Sequence, residues 1–295
     1  MSLDDDSPPG DDGSGSYTDE YGRTESWMSS YDESTGCTSE ERSDGTVNMW
    51  CEDGSNMWTD EFGNTSSTTY DEATGCSFTT SIRASFFAGD CFDSPVAYVD
   101  TVMAGGSGWG IQFGGDRSNC PLTLTRVTIT GLTAIMTQKA LEFSGNLESS
   151  PVTIADSTLI GYHYAIRFAG TVTSSPVTIS GSTLVSEDPA STTGVVQFDM
   201  MVTSSPLTIT DSTLTTASTA GASDGVQFAG AATDSPVSCT NVDITAAANG
   251  INVIGAATRS GVSIDGGIVS AAEWITMDTQ VDSDVLIDNA DLKHN

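Results

Sequence analysis

The segment Ser150-Pro151-Val152-Thr153-Ile154-Ala155-Asp156-Ser157-Thr158-Leu159 returns almost unchanged from Ser175 to Leu184 and again from Ser205 to Leu214. Weaker copies begin at Ser94, Cys120, Ser235, Ser260 and Ser283. Successive copies lie 23 to 30 residues apart and make eight units. A repeat of that period constrains the fold more than any other feature, because each unit must bury its apolar face against the next.

Each unit carries a second short motif. It reads Gly110-Ile111-Gln112-Phe113, Ala140-Leu141-Glu142-Phe143, Ala165-Ile166-Arg167-Phe168, Val195-Val196-Gln197-Phe198, Gly225-Val226-Gln227-Phe228 and Gly250-Ile251-Asn252-Val253. Both motifs alternate apolar and polar residues, which predicts half-buried strands. The Gly, Asp, Asn and Ser between them are turn formers. In a sandwich, successive strands meet different partners and have little reason to copy one another. In a stack of coils each strand lies on its own copy, so like residues form columns. Val152, Val177, Leu207, Val237, Val262 and Val285 make one inward column. Ile154, Ile179, Ile209, Cys239, Ile264 and Ile287 make the next, and Phe113, Phe143, Phe168, Phe198, Phe228 and Val253 a third. The repeated Pro falls at the first residue of a strand, where its missing N–H costs no ladder bond. The columns predict a parallel β-solenoid over residues 94–295, on the order of 40 Å long at roughly 4.8 Å per coil.

These stacked Ser-Pro-Val-Thr-Ile strands make the chain resemble the right-handed parallel β-helix superfamily of pectate-lyase-like enzymes, phage tailspikes and surface adhesins. The resemblance covers about residues 90 to 295 and implies an all-β, right-handed parallel β-helix. It implies no particular activity. Lyases of that superfamily need Ca²⁺-binding carboxylates beside an Arg or Lys base. Its polygalacturonase-like branch needs clustered aspartates with Gly-His-Gly and Arg-x-Lys. Neither set is present.

The chain holds 40 acidic and 9 basic residues, a net charge of −31. That balance excludes nucleic acid, whose binding needs Lys and Arg to displace counterions. It disfavours anionic membranes and polyanionic glycans and permits divalent cations. It equally suits a protein kept soluble or adapted to salt. No stretch is long and apolar enough to span a membrane. No apolar run follows a basic start, so no signal peptide is legible. Residues 1–16 read as a disordered acidic linker of the kind that follows a processed export signal. The expected location is therefore extracellular or at the cell surface.

Residues 17–80 form a smaller repeat. Tyr31-Asp32-Glu33-Ser34-Thr35-Gly36-Cys37 matches Tyr70-Asp71-Glu72-Ala73-Thr74-Gly75-Cys76, and Asp44-Gly45 and Asp53-Gly54 are hairpin-turn signals. A β-meander is expected, with Trp27, Tyr31, Trp50, Trp58 and Tyr70 on one face. It is similar to the tyrosine–aspartate repeats of secreted bacterial shell proteins, and no residue role is carried over from that likeness. Cys37 with Cys51 and Cys76 with Cys91 close loops of similar length. Two such staples suit a unit with little core; the other pairings of these four stay open. Cys239 reads as a buried thiol, and Cys120 precedes a strand Pro. Residues 81–93, with Ile82, Phe86 and Phe87, are the expected cap of the solenoid. Asp44 and Asp53, or Asp60 and Asp71, are candidates for weak Ca²⁺ sites at turns. They lack EF-hand spacing, and ordinary turn chemistry explains them equally. No other cofactor is expected.

The outward column of the second motif is Gln112, Glu142, Arg167, Gln197, Gln227 and Asn252. It reads either as a stacked polar ladder with a Glu142–Arg167 pair, or as a hydrogen-bonding strip for a polysaccharide or cell-surface glycan. Tyr162 and Tyr164 would add rings for sugar stacking. His163 has no evident nucleophile or metal partner. Outward threonines form two ranks, one through Thr123, Thr153, Thr178 and Thr208, the other through Thr128, Thr158, Thr183 and Thr213. The expected function is an exported stalk, adhesin or glycan-binding scaffold. One alternative is a β-helix polysaccharide lyase or hydrolase. It would use carboxylates such as Glu142 and Asp199, with residues 186–194 and 217–225 as a groove wall. The other is an ice-binding solenoid using the threonine ranks.

Overall fold

A computed structural model describes residues 14–18, 24–32, 37–42, 47–51, 56–59, 65–71, 76–81, 85–104, 110–130, 139–190, 192–218 and 222–294. These residues form strands and turns, with no helix. The chain divides into two compact units, Met1–Ala73 with Ser77–Ile82, and Thr74–Cys76 with Arg83–Asn295.

The first unit is an antiparallel meander. Its strands Ser14–Thr18, Thr24–Asp32, Cys37–Arg42, Val47–Cys51, Asn56–Thr59 and Thr65–Asp71 each pair with the next. Tyr31, Thr38, Trp50 and Asn56 form one cross-strand row, and Asn48 pairs with Trp58. Trp27, Tyr31, Trp50, Trp58 and Tyr70 occupy register positions of one parity. Cys37 and Cys51 are register partners. The side chains of Cys37, Cys51 and Cys76 lie outside the described residues. Cys91 opens a strand whose register partner is Arg117 in the next coil, and its Sγ stands 2.8 Å from Cys120 Sγ. The expected pairing of Cys91 with Cys76 falls on a side chain outside the described residues.

The second unit is a parallel β-solenoid of about seven turns. One coil shows the plan: a long strand Tyr164–Phe168, a short strand Val172–Thr173, a third strand Val177–Ser180 and a fourth Thr183–Ser186. Each lies parallel and in register on its copy in the next coil. The predicted Val and Ile columns are in register. The Phe rings stack face to face, 4.5 to 5.0 Å apart from Phe87 through Phe228. The stretch expected as a cap joins this stack, since Ser85–Ala88 and Cys91–Phe92 pair with Ile111–Phe113 and Arg117–Ser118.

Three of the four corners are built alike in successive coils. Between long and short strand, glycines pack so closely that a Cβ on Gly145 would meet Gly115 O at 2.3 Å. The next two corners each turn on a single left-handed residue. Every non-glycine residue with positive φ among those described falls in these two columns, at 48° to 54°. Asn119, Ser149, Ser174 and Ser204 belong to the first, and Arg126, Asp156 and Asp211 to the second. A serine follows at most of these corners and is buried. Ser150 N donates to Ser175 Oγ, Ser175 N to Ser205 Oγ, and so on to Ser283. Each hydroxyl in turn donates to the carbonyl two residues before it, as Ser175 Oγ does to Thr173 O at 2.8 Å. A second ladder runs through Ser157, Ser182 and Ser212. These bonds satisfy backbone donors that a sharp corner would otherwise strand. The repeated Pro stands one residue before the third strand rather than at its first residue, and its carbonyl receives the preceding coil's N–H, as with Val152 N to Pro176 O.

The fourth corner absorbs all the variation between the 25- and 30-residue coils. Two residues separate Gly161 from Tyr164, and seven separate Ser186 from Gly194. The longer corners pack on one another through Ala217 N to Ser186 O and Ser218 Oγ to Pro189 O.

Candidate functional site

The long strands carry the polar column in register: Gln112 on Glu142, Glu142 on Arg167, Arg167 on Gln197, Gln197 on Gln227 and Gln227 on Asn252. It is largely covered. Glu142 is 2% exposed, Gln197 3% and Gln227 8%. A strand side chain pointing away from the core would normally meet water. Here its neighbours close over it, and Gln197 Oε1 accepts Gly194 N at the end of the long corner.

Apart from Gln197, the column resolves into two hydrogen-bonded networks, and in the first Gln112 Oε1 is left buried without a partner among the described residues. In the first, Glu142 Oε1 takes Lys139 Nζ at 2.7 Å and Arg167 Nη1 at 2.8 Å, and Oε2 takes Gln112 Nε2 at 3.2 Å. Arg167 also holds Asp199, with Nε at 2.8 Å and Nη2 at 2.6 Å from Oδ2. The four charges cancel. Burial works against the charge on Arg167, but Asp199, Tyr164 and Glu142 outweigh it and its pKa lies above the ordinary value. Burial raises the Tyr164 phenol. In the second network the buried Asp224 accepts Asn249 N and Nδ2 at Oδ1, and Gln227 Nε2 and Asn252 Nδ2 at Oδ2.

The short corner before Tyr164 places His163 Nδ1 2.7 Å from Asp188 Oδ2. Ser186 is beside them, but its hydroxyl donates to His163 O rather than to the imidazole. The nucleophile–base–orienter relay is thus absent from this trio. The Tyr162 and His163 rings meet at 70° and the His163 and Tyr164 rings at 53°, so the three make no flat stacking platform.

An open groove was not foreseen from sequence. It has a volume of about 490 Å³ and runs across the short strands, lined by Asp90, Phe92, Asp116, Ser118, Asn146 and Glu148, with Thr171 and Thr173. Phe92 is 54% exposed. Asp116 N donates to Asp90 Oδ1, Asn146 N to Asp116 Oδ1 and Thr171 N to Asn146 Oδ1, which fixes that edge. The signal was an aromatic residue, Phe92, opening an outward column that continues as Ser118, Glu148 and Thr173.

Asp44, Asp53 and Asp60 lie outside the described residues, and Asp71 ends the strand Thr65–Asp71. Among the described residues no three His, Cys, Asp or Glu side chains converge as a metal site, and no helix is long and apolar enough to cross a membrane. The threonine ranks are true register columns. A left-handed corner residue such as Asp156 or Asp211 separates them, so they do not share one strand. Cys239 is buried, and desolvation pushes its thiol up to about 12. It is inert where a reactive cysteine needs thiolate at neutral pH.

Fold and geometry together define a parallel β-solenoid repeat protein. No protein-family model matches the sequence, and neither a curated protein nor a solved structure matches it.

Proposed function

We propose that this protein is an exported surface or secreted scaffold, a non-catalytic rod whose groove takes a neutral polysaccharide. The observation that carries the non-catalytic reading is the Arg167 bridge between Glu142 and Asp199. Glycoside hydrolysis needs two carboxyl groups facing the scissile bond, one of them protonated. Here both Glu142 oxygens and the Asp199 Oδ2 are occupied by protein donors. The glycan reading rests on the groove, where an exposed ring lies among carboxylate, amide and hydroxyl groups. Asp90, Asp116 and Glu148 would repel a polyanion, so a neutral chain is favoured.

The test incubates the protein with neutral and acidic polysaccharides, with and without Ca²⁺, and scores co-sedimentation and new reducing ends in the same tubes. Retention on neutral chains without cleavage is expected, together with its loss in Phe92→Ser and Glu148→Gln. Both residues are exposed, so these variants should fold. New reducing ends would overturn the non-catalytic reading, and the absence of any retention would leave a stalk without a glycan role.

A further inference from the structure

We propose that Cys91 and Cys120 form a disulfide that fastens the first coil of the solenoid to the second. Their sulfurs lie 2.8 Å apart. That is well inside the roughly 3.5–4.0 Å of an ordinary carbon–carbon contact, and sulfur is the larger atom. A bond of about 2.05 Å needs a shift of less than 1 Å. The repeat supplies a second, independent observation. Cys120 stands in the serine ladder, where Ser94 and then Ser150, Ser175 and Ser205 occupy the same place in neighbouring coils. It keeps the ladder's bonds, with Ser94 N donating to its Sγ and the thiol donating to Ser118 O. Cys91 opens a different column, in register with Arg117, Leu147 and Val172. Each column departs to cysteine at one coil, and the two departures meet across one coil interface. Both cysteines are buried, at 6% and 1% exposure.

The bond forms by exchange with a small or protein disulfide oxidant. The Cys91 thiolate attacks one sulfur of the oxidant, whose S–S bond breaks and releases one thiolate. The Cys120 thiolate then attacks Cys91 Sγ and expels the second. The protein loses two protons and two electrons, and the oxidant leaves as two thiols. Burial places this step in folding, before the first coil seats. The need for an oxidant assigns it to an oxidising compartment, where such bonds persist.

The full chain is refolded in a reduced and oxidised glutathione mixture, alkylated under denaturing conditions without reductant, and digested with trypsin. Cleavage after Arg83, Arg117 and Arg126 gives peptides 84–117 and 118–126, each with one cysteine. A linked pair, 2 Da below the sum of the reduced peptides, is expected. Cys120→Ser restores the ladder residue, so it should fold and lose the linkage. The wild type should melt several degrees above Cys120→Ser when oxidised, and reductant should close that gap. Alkylation of both cysteines after oxidative refolding would overturn the proposal. Linkage of peptide 84–117 to peptide 43–83, which holds Cys76, would do the same.

Discussion

A single buried serine makes three bonds in most coils of the solenoid. Ser175 Oγ receives the amide of Ser150, returns its own proton to Thr173 O, and its backbone N–H passes to Ser205 Oγ. Removing it strands a buried donor, which costs about 1–3 kcal/mol, well above the net worth of an ordinary hydrogen bond. Ser175→Ala should therefore lower the unfolding free energy of the solenoid by that much, read as a lower urea midpoint at unchanged slope. Thr178→Ala, at an exposed position on the same coil, should stay within about 0.5 kcal/mol of wild type. Equal effects would mean that the ladder is decorative. The ladder was hidden in plain composition, since a Ser before a Pro reads as turn filler. Cys120 was readable as a ladder member only once the column was known to be serine for a reason. The left-handed corners were hidden in the same way. Asn and Asp announce such a conformation, but Ser149, Ser174, Arg126 and Arg259 do not.

At the scale of the strand, alternation told almost everything. The Val, Ile and Phe columns were legible because coil stacking forces like onto like, and their register follows from the spacing of Ser-Pro and Phe. The polar column was legible as a ladder, and the Glu142–Arg167 pair was visible in it. Its burial was not. Period-two patterning says which way a side chain points and nothing about a corner loop folding over it, as at Gln197. The Phe stack gives a sharp test of the strands. Phe168 is fully buried between Phe143 and Phe198, with ring centroids 5.0 and 4.6 Å away. Phe168→Ala should cost about 3–5 kcal/mol by opening a cavity in mid-stack. Phe168→Leu should recover most of that. A small loss in the alanine variant would show that neighbouring coils collapse onto the gap.

For the whole molecule, charge is the dominant unbalanced quantity. The solenoid's cations are mostly committed to acids, as with Arg126 on Asp100 and Arg259 on Asp234. These pairs leave a net charge of −31 on the chain. Self-repulsion of that size destabilises a compact state and is screened by salt, since the Debye length falls from about 30 Å at 0.01 M to about 10 Å at 0.1 M. The melting temperature should rise as NaCl is raised from 10 mM to 0.5 M. A flat or falling curve would show that repulsion does not limit stability.

The fourth corner has a consequence for how such a chain can change. The 25- and 30-residue coils differ only there, while the other three corners and every ladder keep their phase. A duplicated or deleted coil therefore meets neighbours that already fit it. Length in this architecture is digital, a ruler graduated at roughly 4.8 Å, which recombination can extend or shorten by whole marks without redrawing any of them.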